Sequence, residues 1–355
     1  MNAEKITAIR QKLRQWYEKH CRELPWRGTK DAYLIWVSEV MLQQTRVTAV
    51  IPYYERFIRR FPNVQSLAES DLQEVLKLWE GLGYYARVRN LRKAVQKVTA
   101  EHGGQIPQDF SEFEKLPGVG DYTASAVLSI AFDQPFAAVD GNVKRVLSRV
   151  FLMEEAVNLS GVHKAFKNKA DALLDRENPS MFNQAMMELG ALICLPRNPE
   201  CKICPLSSLC AAFKIGKTES YPKRKSADPV PEYQIAAGVV YCEGKMLIVQ
   251  RQPKGLLAGL WEFPGGKVKK GENPEHACIR EIQEKTGITA EPDSFLTHVK
   301  HAYTHFKIEM DVFLCQYISG DIHLSGPADF RWIGAEEICR YPFHKSNLKF
   351  ASLLK

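Results

Sequence analysis

Apolar residues recur at helical spacing over residues 3–19, 33–54, 70–80, 87–102 and 180–195, which predicts a helical first part of the chain. After residue 231 the pattern changes. Residues 234–241, 246–251 and 308–317 form short runs rich in β-branched and aromatic side chains, and they read as strands. Between the two regimes, residues 217–232 (KTESYPKRKSADPVPE) hold several prolines and a basic cluster with no hydrophobic period, as a linker does. The expected organisation is an all-helical domain over 1–215, a basic, proline-containing linker over 216–231 and an α/β domain over 232–355. The chain contains no long repeat and no low-complexity tract.

Composition adds limits. With 355 residues, 45% hydrophobic and 25% charged, the chain has room for two cores and is neither fibrous nor disordered in character. The first twenty residues are charged and amphipathic, and no run approaches the roughly 18 uninterrupted apolar residues of a membrane span. The expectation is a soluble, cytoplasmic monomer with no membrane partner. The net charge of +7 resides in the first domain and the linker, since the part after residue 231 is balanced. An excess of this size only modestly favours a polyanionic partner.

The densest chemistry lies in residues 116–146, LPGVGDYTASAVLSIAFDQPFAAVDGNVKRV. Gly118 and Gly120 interrupt helix just before the apolar run 123–130. They leave backbone amides for a phosphate, or else form an ordinary proline-glycine turn. No strand precedes them and a third glycine is missing, which argues against a dinucleotide-binding fold. Asp140, before Gly141 and Asn142, is a helix N-cap by position, and a carboxylate there can also face a developing cation. Glu39 lies among Val37, Val40, Met41 and Leu42. Such surroundings raise a carboxyl pKa and suit a general acid, while the alternative is a glutamate on the polar face of a surface helix. Cys194, Cys201, Cys204 and Cys210 follow C-x6-C-x2-C-x5-C, so four thiolates can converge on a zinc ion or an iron-sulfur cluster.

That cysteine spacing resembles the [4Fe-4S] loop of the endonuclease III superfamily of DNA glycosylases. LPGVG and VDGN match the superfamily's helix-hairpin-helix (about 110–132) and downstream aspartate, in order. LPWR (24–27), SEVMLQQTRV (38–47), GLGYYARVRN (81–90) and a second domain bring the resemblance closer to adenine DNA glycosylases of the MutY type. The resemblance implies a monofunctional enzyme of base excision repair that flips adenine out of A:8-oxoguanine or A:G mispairs in duplex DNA and hydrolyses its glycosidic bond. It assigns protonation of adenine to Glu39, stabilisation of the sugar cation to Asp140, and positioning to Asn142. Tyr122 stands where strand-cutting relatives carry a lysine, so no abasic-site lyase activity is expected. Gln44 and Tyr84 are implied to enter the duplex, Arg27 and Gln184 to contact adenine, and Gly118 and Gly120 to bind phosphate. Cys194, Cys201, Cys204 and Cys210 (loop 194–210) would hold the cluster.

Residues 260–288 resemble the Nudix box, matched by Gly266, Glu272, Arg280, Glu281, Ile282, Glu284, Gly287 and Ile288, with Lys285 in place of the last glutamate of the box. One helical turn after Glu281, Lys285 places a cation where Mg²⁺ would otherwise sit. The family's reader of 8-oxoguanine is a short aromatic-hydroxyl-histidine hairpin, here Tyr303, Thr304 and His305, the two clamped domains holding the mispair between them. Two alternatives are a glycosylase fused to an active Nudix pyrophosphohydrolase and a non-catalytic Fe-S protein that scans DNA.

Overall fold

The computed structural model describes residues 2–159, 161–226 and 229–354. Its contacts divide into two units, Met1–Glu69 with Asn90–Ala227, and Ser70–Arg89 with Asp228–Lys355. A boundary drawn only through the linker does not anticipate that residues 70–89 group with the second unit. Their side chains explain it: Trp261 Nε1 donates to Gln73 Oε1 at 2.9 Å, Lys77 Nζ to the Tyr341 carbonyl at 2.9 Å, and the Phe343 N–H to Glu80 Oε1 at 2.8 Å.

The first unit is helical. Two of its helices, Ala32–Leu42 and Asp121–Phe132, are buried on nearly every side, and they pack against each other in the middle of the unit. Most polar side chains they carry are therefore surrounded by protein, Glu39, Ser125 and Ser129 among them. The run 33–54 is two helices, Ala32–Leu42 and Val47–Arg60, rather than one. Gln44 breaks it with a left-handed φ of +57°. Apolar spacing does not register the break because Met41 before it and Val50 after it both face the core.

The linker is also less free than its composition implies. Tyr221 belongs to the core of the first unit, and Arg149 Nε donates to the carbonyls of Thr218 (2.8 Å) and Tyr221 (2.9 Å). Asn158 bonds both backbone groups of Lys225.

The second unit is built on a seven-stranded sheet: β1 (Glu232–Cys242), β2 (Lys245–Gln250), β3 (Trp261–Glu262), β4 (Gly265–Lys267), β5 (Thr289–Ala302), β6 (Lys307–Ser319) and β7 (Asp329–Ile333). Its main path runs β3-β2-β1-β6-β5, with β1 and β6 parallel and β5 and β6 antiparallel. Alternate residues of β1 face opposite cores. Ala236 and Val240 meet the helix Pro274–Thr286, whereas Ala237 and Val239 share a cluster with Phe343 and Phe350. Among the described residues, no helix is long and apolar enough to cross a membrane.

Candidate active site

A cavity of about 530 Å³ in the first unit is lined by Arg27, Glu39, Gln44, Gly118, Gly120, Tyr122, Asp140, Asn142 and Gln184. Every residue singled out in this unit, apart from the cysteines, thus falls on one cavity. Glu39 is 5% exposed, and its Oε2 accepts a hydrogen bond from the Tyr122 hydroxyl at 2.5 Å. Burial pushes the Glu39 carboxyl up to about 7, helped by the charge of Asp140 and opposed by the Tyr122 bond and by Arg27. Tyr122 is itself pushed well above its ordinary value, by burial first and then by Glu39 and Asp140, so it remains the donor of the pair.

Asp140 caps the helix Gly141–Phe151. Its Oδ1 accepts from the Val143 N–H at 2.7 Å and its Oδ2 from Asn142 Nδ2 at 2.9 Å. Burial raises this carboxyl, while those two donors and Arg145 work against the rise. The two carboxyls therefore sit in unlike environments: Glu39 with one tyrosine, Asp140 at a helix N-terminus with a backbone and an amide donor. The Asn142 side-chain Oδ1 accepts from Arg145 at 2.7 Å, and Arg145 also donates to the backbone carbonyls of Gly190 (2.7 Å) and Cys194 (2.7 Å).

Several members of this arrangement escaped the sequence reading. Glu188 is 1% exposed and binds two arginines: Arg22 Nε to Oε1 at 2.7 Å, and Arg27 to Oε2 at 2.5 Å. Burial pushes Glu188 up, but the hydrogen bonds from Arg22 and Arg27 outweigh it and hold the carboxyl at about 2. Its spacing of one helical turn from Gln184 was the available signal. Gln184 is fixed beside it, accepting from the Tyr17 hydroxyl at 3.2 Å. Gly190 lies so near Asn142 that a Cβ at 190 would fall 2.5 Å from the Asn142 Cβ. That contact lets the helix Pro179–Leu192 approach the Asp140 cap.

The glycine hairpin combines a turn, closed by the Val119 N–H to the Leu116 carbonyl at 3.0 Å, with Gly118 at φ +76° and Gly120 as cap of Asp121–Phe132. A side chain at 118 would be excluded twice, by φ and by Asn90, 2.7 Å from where its Cβ would lie. Space around Gly120 is open. Asp121, which would repel an anion at this helix start, is held by His163 Nε2 at 2.8 Å and Lys167 Nζ at 3.2 Å.

The four cysteines line one small pocket with Val146, Val150 and Leu206. Among the described residues, no three metal-binding side chains lie close enough to hold a single ion. Four thiolates around one pocket are the donor set of an iron-sulfur cluster or of a structural zinc ion. Arg149, 1% exposed, reaches the pocket: it donates to Cys194 Sγ at 3.3 Å and to the Leu195 carbonyl at 2.6 Å.

In the second unit, Tyr84 has a left-handed φ of +50°, and its hydroxyl is 2.6 Å from Thr304 Oγ1. Thr304 and His305 are exposed. The Tyr303 ring, in contrast, stacks on Phe306 at 4.7 Å and its hydroxyl meets Ser346 Oγ at 3.0 Å, which braces the hairpin from within. In the Nudix-like helix, Arg280 binds Glu272 (2.7 Å), Glu281 (2.9 Å) and Glu284 (3.1 Å). Lys285 Nζ donates to the Gly265 carbonyl and stands 3.5 Å from Glu281.

Comparison with known proteins agrees with both units. The HhH-GPD superfamily base excision DNA repair protein matches residues 37–170, and the NUDIX domain matches residues 236–353. The adenine DNA glycosylase of Mus musculus is 37% identical over 94% of this chain and 75% of its own length. That of Homo sapiens is 36% identical over 94% and 71%, and that of Buchnera aphidicola subsp. Schizaphis graminum 38% over 74% and 76%. Among solved structures, a thermostable thymine-DNA glycosylase is 30% identical with a TM-score of 0.55, covering 60% of this chain and 98% of its own. A trapped covalent intermediate of endonuclease III with DNA is 25% identical with a TM-score of 0.52, covering 61% and 99%.

Proposed function

The chain belongs to the adenine DNA glycosylases, with a helix-hairpin-helix glycosylase domain and a C-terminal Nudix-like domain, and from that premise we propose a residue-level account of adenine excision. The target adenine leaves the stack and enters the cavity of Glu39 and Asp140, since its reacting atoms are inaccessible within a duplex. Glu39 holds the transferable proton and passes it to N7 of adenine. The glycosidic bond then breaks, its electron pair going to the neutralised base, and Asp140 stabilises the cation left on the sugar. Water adds to that carbon and gives its proton to the Glu39 carboxylate, which restores the acid and leaves an abasic site.

The observation that carries this reading is the contrast between the two carboxyls: one deeply buried and raised to about 7, the other at a helix N-terminus with two donors. Asn142 serves Asp140 by hydrogen bonding to it and is locked by Arg145, so its part is to hold geometry. Arg27 and Gln184 are placed by Glu188 and Tyr17 to meet the base. The hairpin amides of Gly118 and Gly120 grip phosphate without reading sequence. Gln44, which lines the cavity, and Tyr84 enter the duplex, each from a turn in which it holds a left-handed φ. The exposed hydroxyl of Thr304, beside Tyr84, and His305 read 8-oxoguanine opposite the adenine, on a hairpin braced by Tyr303.

Because Glu39 acts in its protonated form, excision is expected to fall as pH rises through about 7. Single-turnover release of adenine from an A:8-oxoguanine duplex across pH 5.5–9 checks this, and a rate that climbs with pH through this range contradicts it. Cys194, Cys201, Cys204 and Cys210 would hold a [4Fe-4S] cluster that ties the loop 194–210 into a rigid DNA-facing shape. Arg149 pins the loop from behind. Purified protein should contain about four irons and four acid-labile sulfides per chain, and their absence from protein purified anaerobically counts against the assignment.

A further inference from the structure

The turn that joins β5 to β6 carries two exposed residues, Thr304 and His305, between two half-buried ones, Tyr303 and Phe306. The half-buried pair closes the turn twice: the Tyr303 N–H donates to the Phe306 carbonyl at 2.8 Å, and the two rings stack at 4.7 Å. With both ends held, the direction in which Thr304 and His305 point follows from where Tyr303 sits.

Behind Tyr303 a relay of hydrogen bonds runs into the unit. The Tyr303 hydroxyl is 3.0 Å from Ser346 Oγ, Ser346 Oγ is 2.7 Å from His344 Nδ1, and His344 Nε2 is 3.2 Å from Glu262 Oε2, which also accepts from Arg251 at 2.6 Å. Ser346 is completely buried and His344 is 7% exposed. The next residue, Asn347, accepts from the Phe263 N–H at 2.9 Å and so fixes the start of the helix Lys345–Ala351 beside β3. Burial pushes the Glu262 carboxyl up, but the His344 bond and the charges of Arg251, His344 and Lys285 outweigh it and hold it at about 2. An ionised Glu262 receives the proton on His344 Nε2. A neutral imidazole then accepts at Nδ1 from the Ser346 hydroxyl, and Ser346 Oγ is left to accept from Tyr303. Burial raises Tyr303, which keeps its hydroxyl as the donor.

Adenine excision uses none of these groups. 8-Oxoguanine differs from guanine by an oxygen on C8 and a hydrogen on N7, so telling them apart needs a hydrogen-bonding group held in one place. We propose that Ser346 and His344 are positioning residues that set the preference for 8-oxoguanine over guanine, by fixing the Tyr303 hydroxyl and through it the orientation of Thr304 and His305. The inference rests on the reading of 8-oxoguanine by Thr304 and His305, and it adds the buried residues on which that reading depends.

The test compares single-turnover excision of adenine opposite 8-oxoguanine with excision opposite guanine, using the full chain. Ser346→Ala leaves the buried Tyr303 hydroxyl without its partner, and the ratio of the two rates should fall at least fivefold. Adding Tyr303→Phe removes the unpaired hydroxyl and keeps a ring stacked on Phe306, so the double variant should recover the ratio to within twofold. A ratio unchanged by Ser346→Ala, including an equal loss on both duplexes as a merely structural role would give, overturns the proposal. Failure of the double variant to recover the ratio also overturns it. Thr304→Ala combined with His305→Ala reports on the reading itself. An unchanged ratio there sinks the reading, whereas a ratio lost there and kept in Ser346→Ala sinks only the relay.

Discussion

Asp140→Asn is expected to slow adenine release at least about a thousandfold, and Glu39→Gln by a similar factor, because each removes a charge or proton needed only in the transition state. Both changes spare the fold for definite reasons. Asparagine is as good an N-cap as aspartate, so the helix Gly141–Phe151 keeps its start. A glutamine at position 39 still accepts from the Tyr122 hydroxyl, and it removes the cost of ionising a buried carboxyl. The folded-state pKa of Glu39 is raised, so the unaltered chain loses stability as pH rises toward 7. Glu39→Gln should therefore unfold at a higher temperature than the unaltered chain at pH 8. Single-turnover excision, duplex binding and thermal unfolding measured together separate catalysis from structure. A loss of less than tenfold with binding intact sinks the assigned role.

The second expectation is all-or-none. The unaltered chain should leave an abasic site in an unbroken strand, because Tyr122 has no amine to attack the sugar carbon. Tyr122→Lys would place an amine beside Glu39 and Asp140, and with DNA holding a preformed abasic site it should form a Schiff base that borohydride traps covalently. Adenine removal by this variant should slow, since an ammonium next to Glu39 draws off its proton. A borohydride-trapped adduct of the unaltered chain would overturn this assignment, as would a Tyr122→Lys variant that folds but traps nothing.

Spacing made much of this legible. The cysteine loop, the glycine hairpin and Asp140 depend on backbone conformation and ligand separation, which short motifs encode. Glu39 was legible because its neighbours in the helix are apolar, and burial followed. The partners Glu188, Arg145 and Gly190 were not, since their roles come from the helix Pro179–Leu192 packing against distant segments, such as Gly190 against Asn142. The break at Gln44 was hidden because apolar positions continue in phase on both sides. Residues 70–80 carry an ordinary helical pattern, and Gln73, Lys77 and Glu80 reaching Trp261, Tyr341 and Phe343 reveal their place in the second unit.

The proposed reaction is hydrolytic removal of adenine opposite 8-oxoguanine by the Glu39 and Asp140 pair. Its most direct test is a panel of duplexes with adenine opposite 8-oxoguanine, guanine, thymine or cytosine, scored for strand breaks with and without alkali. Breaks are expected only after alkali, fastest opposite 8-oxoguanine, next opposite guanine, and none with Asp140→Asn. Equal rates on all four duplexes, or breaks that need no alkali, would contradict it.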